Sequence, residues 1–217
     1  MKLKNTSIVI LLCLCIHTVN AQKSDFRFGL KAMPTLVWLK PDVKGLIADG
    51  AKLTFSWGFI SEYYFADNYA IAGGIDLTSR GGKTTTNDTT HYEYKLKYIE
   101  LPITIKMRTN EIGYMRYFGQ FGFTPGLNIK AKANKKEPAK TEDDIDIKSE
   151  INSFNLGLLI GLGFEYSLGG NTSLVVSTTF NNGFLDTSKL THKDVNNNVV
   201  NDKVISNYVA LNVGVLF

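Results

Sequence analysis

The chain has 217 residues, with 24 Lys and Arg against 20 Asp and Glu, and 12% of its residues are aromatic. That length suits one domain or one modest barrel, and the near balance of charge argues against a protein that binds nucleic acid through a basic face. Both cysteines, Cys13 and Cys15, fall in what reads as a leader, which excludes disulfide, thiol-nucleophile and cysteine-metal chemistry from the remainder.

The leader is residues 1–21. Lys2 and Lys4 supply a positive start, Ile8 to Ile16 a short apolar run, and Val19-Asn20-Ala21 a small-residue cleavage site before Gln22. The apolar run is too short for a spanning helix, which needs roughly 20 residues. Leu12 and Leu14 precede the two cysteines, where a lipoprotein needs a small residue. Residues 22–217 are read as one domain, with 22 basic and 20 acidic residues once Lys2 and Lys4 are removed.

The segments that follow alternate apolar and polar residues with a period of two, the mark of strands with two unlike faces. The first covers about Phe26–Leu39, with Pro34 expected to force a bulge or a register change. The second, Lys52–Phe65, lines up Leu53, Phe55, Trp57, Phe59, Tyr63 and Phe65 on one side, with Ile60 out of phase. After a tight turn at Ala66-Asp67-Asn68 the third runs from Tyr69 to about Ser79, and Arg80 to His91 is read as a Gly/Thr/Asn-rich loop.

The fourth and fifth strands form a hairpin around a turn near Thr109–Gly113. Ile99, Leu101, Ile103, Ile105 and Met107 oppose Glu100, Pro102, Thr104 and Lys106. Tyr117, Phe121, Phe123, Leu127 and Ile129 oppose Arg116, Phe118, Gln120, Thr124 and Asn128. Pro102 removes a ladder donor beside Glu100, so a local bulge is expected there. Ala131–Glu150 reads as a charged loop, basic from Lys132 to Lys140 and acidic from Glu142 to Glu150. The sixth strand is Ile151–Leu168, the seventh Thr172–Leu185 and the eighth Val204–Phe217. A tight turn at Gly169-Gly170-Asn171 and a polar loop at Asp186–Lys203 join them.

Short and long connections therefore alternate. This predicts an all-β fold: an eight-stranded antiparallel up-and-down transmembrane β-barrel with short periplasmic turns, long extracellular loops and both termini periplasmic. A soluble barrel alternates too, with its apolar face inward and a charge-rich outer face. Here the polar face is mostly Gly, Ser, Thr, Asn and Ala with scattered charges, which suits a narrow packed lumen. The bulky apolar face suits lipid. The scattered charges Arg27, Lys31, Glu62, Asp76, Glu100, Lys106, Arg116 and Glu165 are the candidate lumen network, paired inside a closed barrel.

Other candidates are weaker. Asp143, Asp144 and Asp146 lack the glycine and spacing of a calcium loop, so no metal is assigned. His192 with Asp186, Ser188 or Asp194 could form a rim-located enzyme site, but no spacing fixes such a geometry, and the chain reads as a non-enzyme without a cofactor. The charged stretch Lys132–Glu150 is the expected contact surface for lipopolysaccharide or a protein partner.

Three stretches carry a family resemblance: RFGLKAMPTLVWLKPD at Arg27–Asp42, YIELPITIK at Tyr98–Lys106 and GQFGFTPGLNI at Gly119–Ile129. They resemble the PorT-like outer-membrane β-barrel proteins of Bacteroidota. The Glu-Leu-Pro step and the Pro-Gly of the next strand are the most specific pieces. The resemblance implies an integral outer-membrane protein in contact with lipid and lipopolysaccharide. The terminal Phe217 resembles the signal read by the barrel assembly machinery. The family's namesake is tied to type IX protein secretion and gliding, which implies a secretion-system or extracellular protein partner, and "porin" is a label also used in the family. A structural or interaction role for a closed barrel is the leading expectation, with a secretion component or a narrow channel as alternatives.

Overall fold

A computed structural model describes residues 26–42, 46–86, 89–189, 191–193, 199–201 and 203–217. The expected leader lies outside these residues. The strands are β1 (Phe26–Asp42), β2 (Leu46–Ala48), β3 (Lys52–Ala66), β4 (Tyr69–Thr86), β5 (Thr90–Glu100), β6 (Ile103–Arg108) and β7 (Met115–Lys136). They continue with β8 (Thr141–Asp146), β9 (Phe154–Gly169), β10 (Thr172–Gly183), β11 (Thr191–Lys193), β12 (Val199–Asn201) and β13 (Lys203–Leu216).

Eight antiparallel staves close into a ring. The order is β1, β13, β10, β9, β7, the β5/β6 stave, β4 and β3, which returns to β1. β5 and β6 count as one stave because both pair with β4 on one side and β7 on the other. Closure leaves the barrel wall without a free edge. The short connections lie at one end. At the Gly169-Gly170 turn both residues have positive φ, 109° and 59°, a backbone state that glycine adopts without steric cost.

Neither proline shifts the register. Ala32 pairs with Val213 and Thr35 with Ala210, so the count across Pro34 stays in step. Glu100 pairs with Gly126 and Ile103 with Phe123, so Pro102 interrupts the stave without adding a residue. The expected bulges are therefore corrected: a missing N–H costs a ladder bond but need not change the residue count. The Leu101 N–H still donates to the Pro125 carbonyl at 2.9 Å. The irregularity of this stave lies earlier, between Lys97 and Tyr98.

Two expected loops are also corrected. β4 continues through Arg80 to Thr86, and β7 continues to Lys136 before turning back as β8. The polar residues there pair as strands just as apolar ones do. Their alternation fades only because no lipid selects an apolar face at that height.

The outer face is the apolar one. Leu53, Phe55, Trp57 and Phe59 all expose about half or more of their surface, and large apolar residues are likewise exposed along β4, β6, β7 and β9. A contiguous apolar belt around the whole molecule far exceeds what a water-soluble monomer carries. Tyr63, Tyr69, Tyr114, Tyr117 and Tyr166 ring the short-turn end of the belt as an aromatic girdle. Phe123 stands at the middle of the belt on β7, between Tyr117 and Ile129. Phe123→Arg is expected to lower the unfolding free energy by about 2–4 kcal/mol. Urea titration in phospholipid vesicles measures this; an unchanged midpoint would mean that this face does not meet hydrocarbon.

Candidate functional site: the lumen

The lumen is filled in layers. Near the short-turn end Phe118, Val175 and Leu216 pack together with Ile60, the out-of-phase residue of the second strand, which points inward. Met33, Val37, Tyr208 and Ala210 form a second apolar layer. At the far end Leu96, Tyr98, Ala131 and Ala133 meet Ile147 and Ile151, which follow β8 and fold over the mouth. A void of about 50 Å³ lies between Lys31, Glu62, Asp76 and Lys106. Inward-facing glycines of the neighbouring strands make room for the charged side chains. At Gly58, for example, a Cβ would come within 2.1 Å of an Asp76 carboxylate oxygen.

Two ionic clusters span this interior. In the lower one Lys106 of β6 lies between two carboxylates, at 2.6 Å from Glu62 and in contact with Glu165. Arg27 of β1 reaches Glu165 at 2.7 Å and donates to the Ser173 hydroxyl at 2.8 Å. The Tyr64 hydroxyl donates to Glu62 at 2.9 Å. Lys106 also stands 4.0 Å above the Phe118 ring, and Arg108 stacks 3.8 Å from the Tyr64 ring. Glu62, Lys106 and Glu165 are each at most 2% exposed. Arg108 also approaches Glu165, at 3.9 Å, so three cations surround the two buried carboxylates, and such pairing is the condition for buried charges to persist.

In the upper cluster Arg80 of β4 contacts Glu100 and donates to Asn181 at 3.0 Å, to the Ser206 carbonyl at 3.3 Å and toward Asn155 at 3.5 Å. Tyr208 donates to the other oxygen of Glu100 at 3.1 Å. The Arg80 guanidinium lies over the rings of Tyr98 and Tyr208, at 5.6 and 4.9 Å. Glu100 is seated opposite Gly126, where a Cβ would press on the glutamate side chain at 3.1 Å. Between the clusters Lys31 pairs with Asp76 at 2.8 Å.

Seven of the eight expected lumen charges, Arg27, Lys31, Glu62, Asp76, Glu100, Lys106 and Glu165, thus take part in these contacts. Arg116 does not, and its assignment is corrected. It has the inward phase but sits at the end of β7, partly exposed, and bonds Glu111 of the adjacent turn. Arg80 was missed because it follows the last apolar residue of its strand and precedes Gly81-Gly82, which read as loop. A cation that continues the inward phase of Asp76 and Thr78 at the next alternate position was the available signal. Tyr98, Tyr208, Asn155 and Asn181 carried no charge to attract notice.

The rim candidates are engaged otherwise. Asp186 accepts from the backbone N–H groups of Ser188 and Val204, at 2.9 and 2.8 Å, and so shapes a loop. His192 belongs to β11, and Asp194 lies outside the described residues. Of the acidic run, Asp144 bonds Lys95 and Lys132, and Asp146 caps the Lys148 N–H at 2.9 Å. Phe217 closes the seam beside β1. Its N–H donates to the Phe28 carbonyl at 2.8 Å, and its ring centroid is 6.4 Å from that of Phe28.

A closed ring of eight staves, apolar outside and ion-paired inside, defines a small transmembrane β-barrel. The chain belongs to the family described as outer membrane protein beta-barrel domain, which matches residues 20–189, and that family places it in the outer membrane. Among solved structures it is similar to Neisserial surface protein A, with 14% identity over 88% of this chain and 96% of that one and a TM-score of 0.46. OprG of Pseudomonas aeruginosa shows 16% identity over 88% and 94%, with a TM-score of 0.48. Ail of Yersinia pestis shows 18% identity over 88% and 98%, with a TM-score of 0.43. No curated protein matches the chain.

Proposed function

We propose that this protein is a closed structural barrel of the outer membrane whose long-hairpin end is an interaction surface, and that it conducts no solute. The observation that supports this reading is the bridging of the bore. Arg80 of β4 reaches partners on β5, β9, β10 and β13, and Lys106 of β6 joins β3 to β9. Eight strands leave an interior only wide enough for side chains, and here the side chains are cross-linked by charge. Reconstituted into planar bilayers, the protein is expected to give no recurrent conductance steps. Steps of uniform size that vanish on heat denaturation would overturn the closed-lumen reading.

On this reading residues 1–21 are a cleaved leader and both termini are periplasmic. The β7–β8 hairpin then faces the exterior, and Phe217 is presented to the barrel assembly machinery. The finer assignment, to the PorT-like proteins, rests on the Glu100-Leu101-Pro102 step and on Pro125-Gly126. These residues meet one another around the upper cluster, where Leu101 bonds Pro125 and Gly126 packs on Glu100. A role in type IX secretion is the alternative. Deletion that leaves the secreted proteins unchanged would exclude it.

A further inference from the structure

Four lysines face outward just above the apolar belt, in two cross-strand pairs. Lys97 of β5 is directly opposite Lys130 of β7, and Lys95 is directly opposite Lys132. Like charges directly opposite one another destabilise a sheet. The upper pair is relieved by Asp144 of β8, whose two oxygens take Lys95 and Lys132 at 3.2 and 3.1 Å. Asp144 has a φ of 56°, unusual for a residue other than glycine. The two ammonium groups hold its carboxylate below the usual range. Among the described residues, no carboxylate forms an ion pair with Lys97 or Lys130, both of which are exposed.

The lysines border a crevice of about 210 Å³, lined also by Lys52 and Asp144. It exists because β3 and β4 cease pairing above Trp57 and Leu77, while Ser79 and Gly81 put no bulky side chain on the outer face of β4. Lys52 is occupied by Glu93 at 2.5 Å. The unrelieved pair is the one nearer the membrane. Ile99 and Leu127, opposite each other and outward, lie two residues below it on β5, about 7 Å along the strand.

We propose that Lys97 and Lys130 bind a phosphate group of an outer-leaflet lipid headgroup, with Lys95 and Lys132 bordering the site. The proposal rests on the orientation given under the proposed function. A phosphate supplies the charge that the lower pair lacks. The apolar residues directly beneath take the acyl chains of the same molecule, which favours a lipid over a free anion. An ammonium serves such a site as a point charge at the headgroup border.

The test is native mass spectrometry of the full mature protein in detergent, with bis-phosphorylated lipid A as the probe. The expected result is a retained lipid A adduct. Lys97→Gln with Lys130→Gln should weaken it about tenfold or more. Lys40→Gln with Lys203→Gln, on the β1–β13 wall, should leave it unchanged. Equal retention of dephosphorylated lipid A, or an adduct that the Lys97/Lys130 double variant does not weaken, would overturn the proposal. Displacement by millimolar inorganic phosphate would assign the site to free anions and overturn the lipid source. A heat-dependent gel shift in each variant shows that the barrel has folded. Orientation is read separately, by labelling an Ala139→Cys variant on intact cells with an impermeant maleimide. No labelling would overturn the outer-leaflet placement and the orientation together, whereas labelling without lipid A retention would overturn the lipid site alone.

Discussion

Replacing Arg80 with Met is expected to lower the unfolding free energy by about 3–5 kcal/mol. Arg80 and Glu100 are at most 1% exposed, and only the Tyr208 hydroxyl would remain on Glu100 among its present side-chain partners. The cost is that of a carboxylate left charged and unpaired where water cannot reach it, and it exceeds what the intact pair adds to stability. The double variant Arg80→Met with Glu100→Leu is therefore expected to recover much of the loss, although Asn181 and Asn155 lose a donor. Urea unfolding of vesicle-embedded protein, followed by tryptophan fluorescence, gives all three values. A single variant within about 0.5 kcal/mol of the parent would indicate that water enters the upper lumen and screens the charge.

Lys106→Met is expected to cost a similar amount, about 3–5 kcal/mol. It leaves Glu62 and Glu165 with two guanidinium groups, Arg27 at 2.7 Å from Glu165 and 3.9 Å from Glu62, and Arg108 at 3.9 Å from Glu165. Both guanidinium groups favour Glu165, and Glu62 keeps only the long Arg27 contact and the Tyr64 hydroxyl, so Glu62 bears the penalty. Adding Glu62→Leu removes the under-paired carboxylate, and the Arg27–Glu165 pair is expected to hold that end of the barrel. The same unfolding measurement, with single and double variants compared, separates this account from simple loss of packing against Phe118. If the loss comes from packing, Glu62→Leu adds a second loss instead of a recovery.

Much of this arrangement was legible as phase. A period of two assigns each residue to the inside or the outside without knowledge of its partners. Arg27, Glu62, Glu100, Lys106 and Glu165 therefore read as lumen residues although they are spread over four staves of the barrel. Phase could not say how far along the bore each residue stands. Arg116 and Lys106 look alike on that criterion, yet one ends at the rim beside Glu111 and the other is fully enclosed.

The sequence by itself determined the number of staves, the lipid-facing side and the alternation of short and long connections, because lipid selects an apolar residue at every second position. Only the tertiary structure decided where the strands end, which charges meet and what closes the mouth. Beyond the apolar belt that selection stops, so Arg80 and Lys132 look like loop residues until pairing aligns them. Ion pairs such as Arg27 with Glu165 join residues far apart in the chain, and their meeting depends on ring closure and register, which no local pattern encodes.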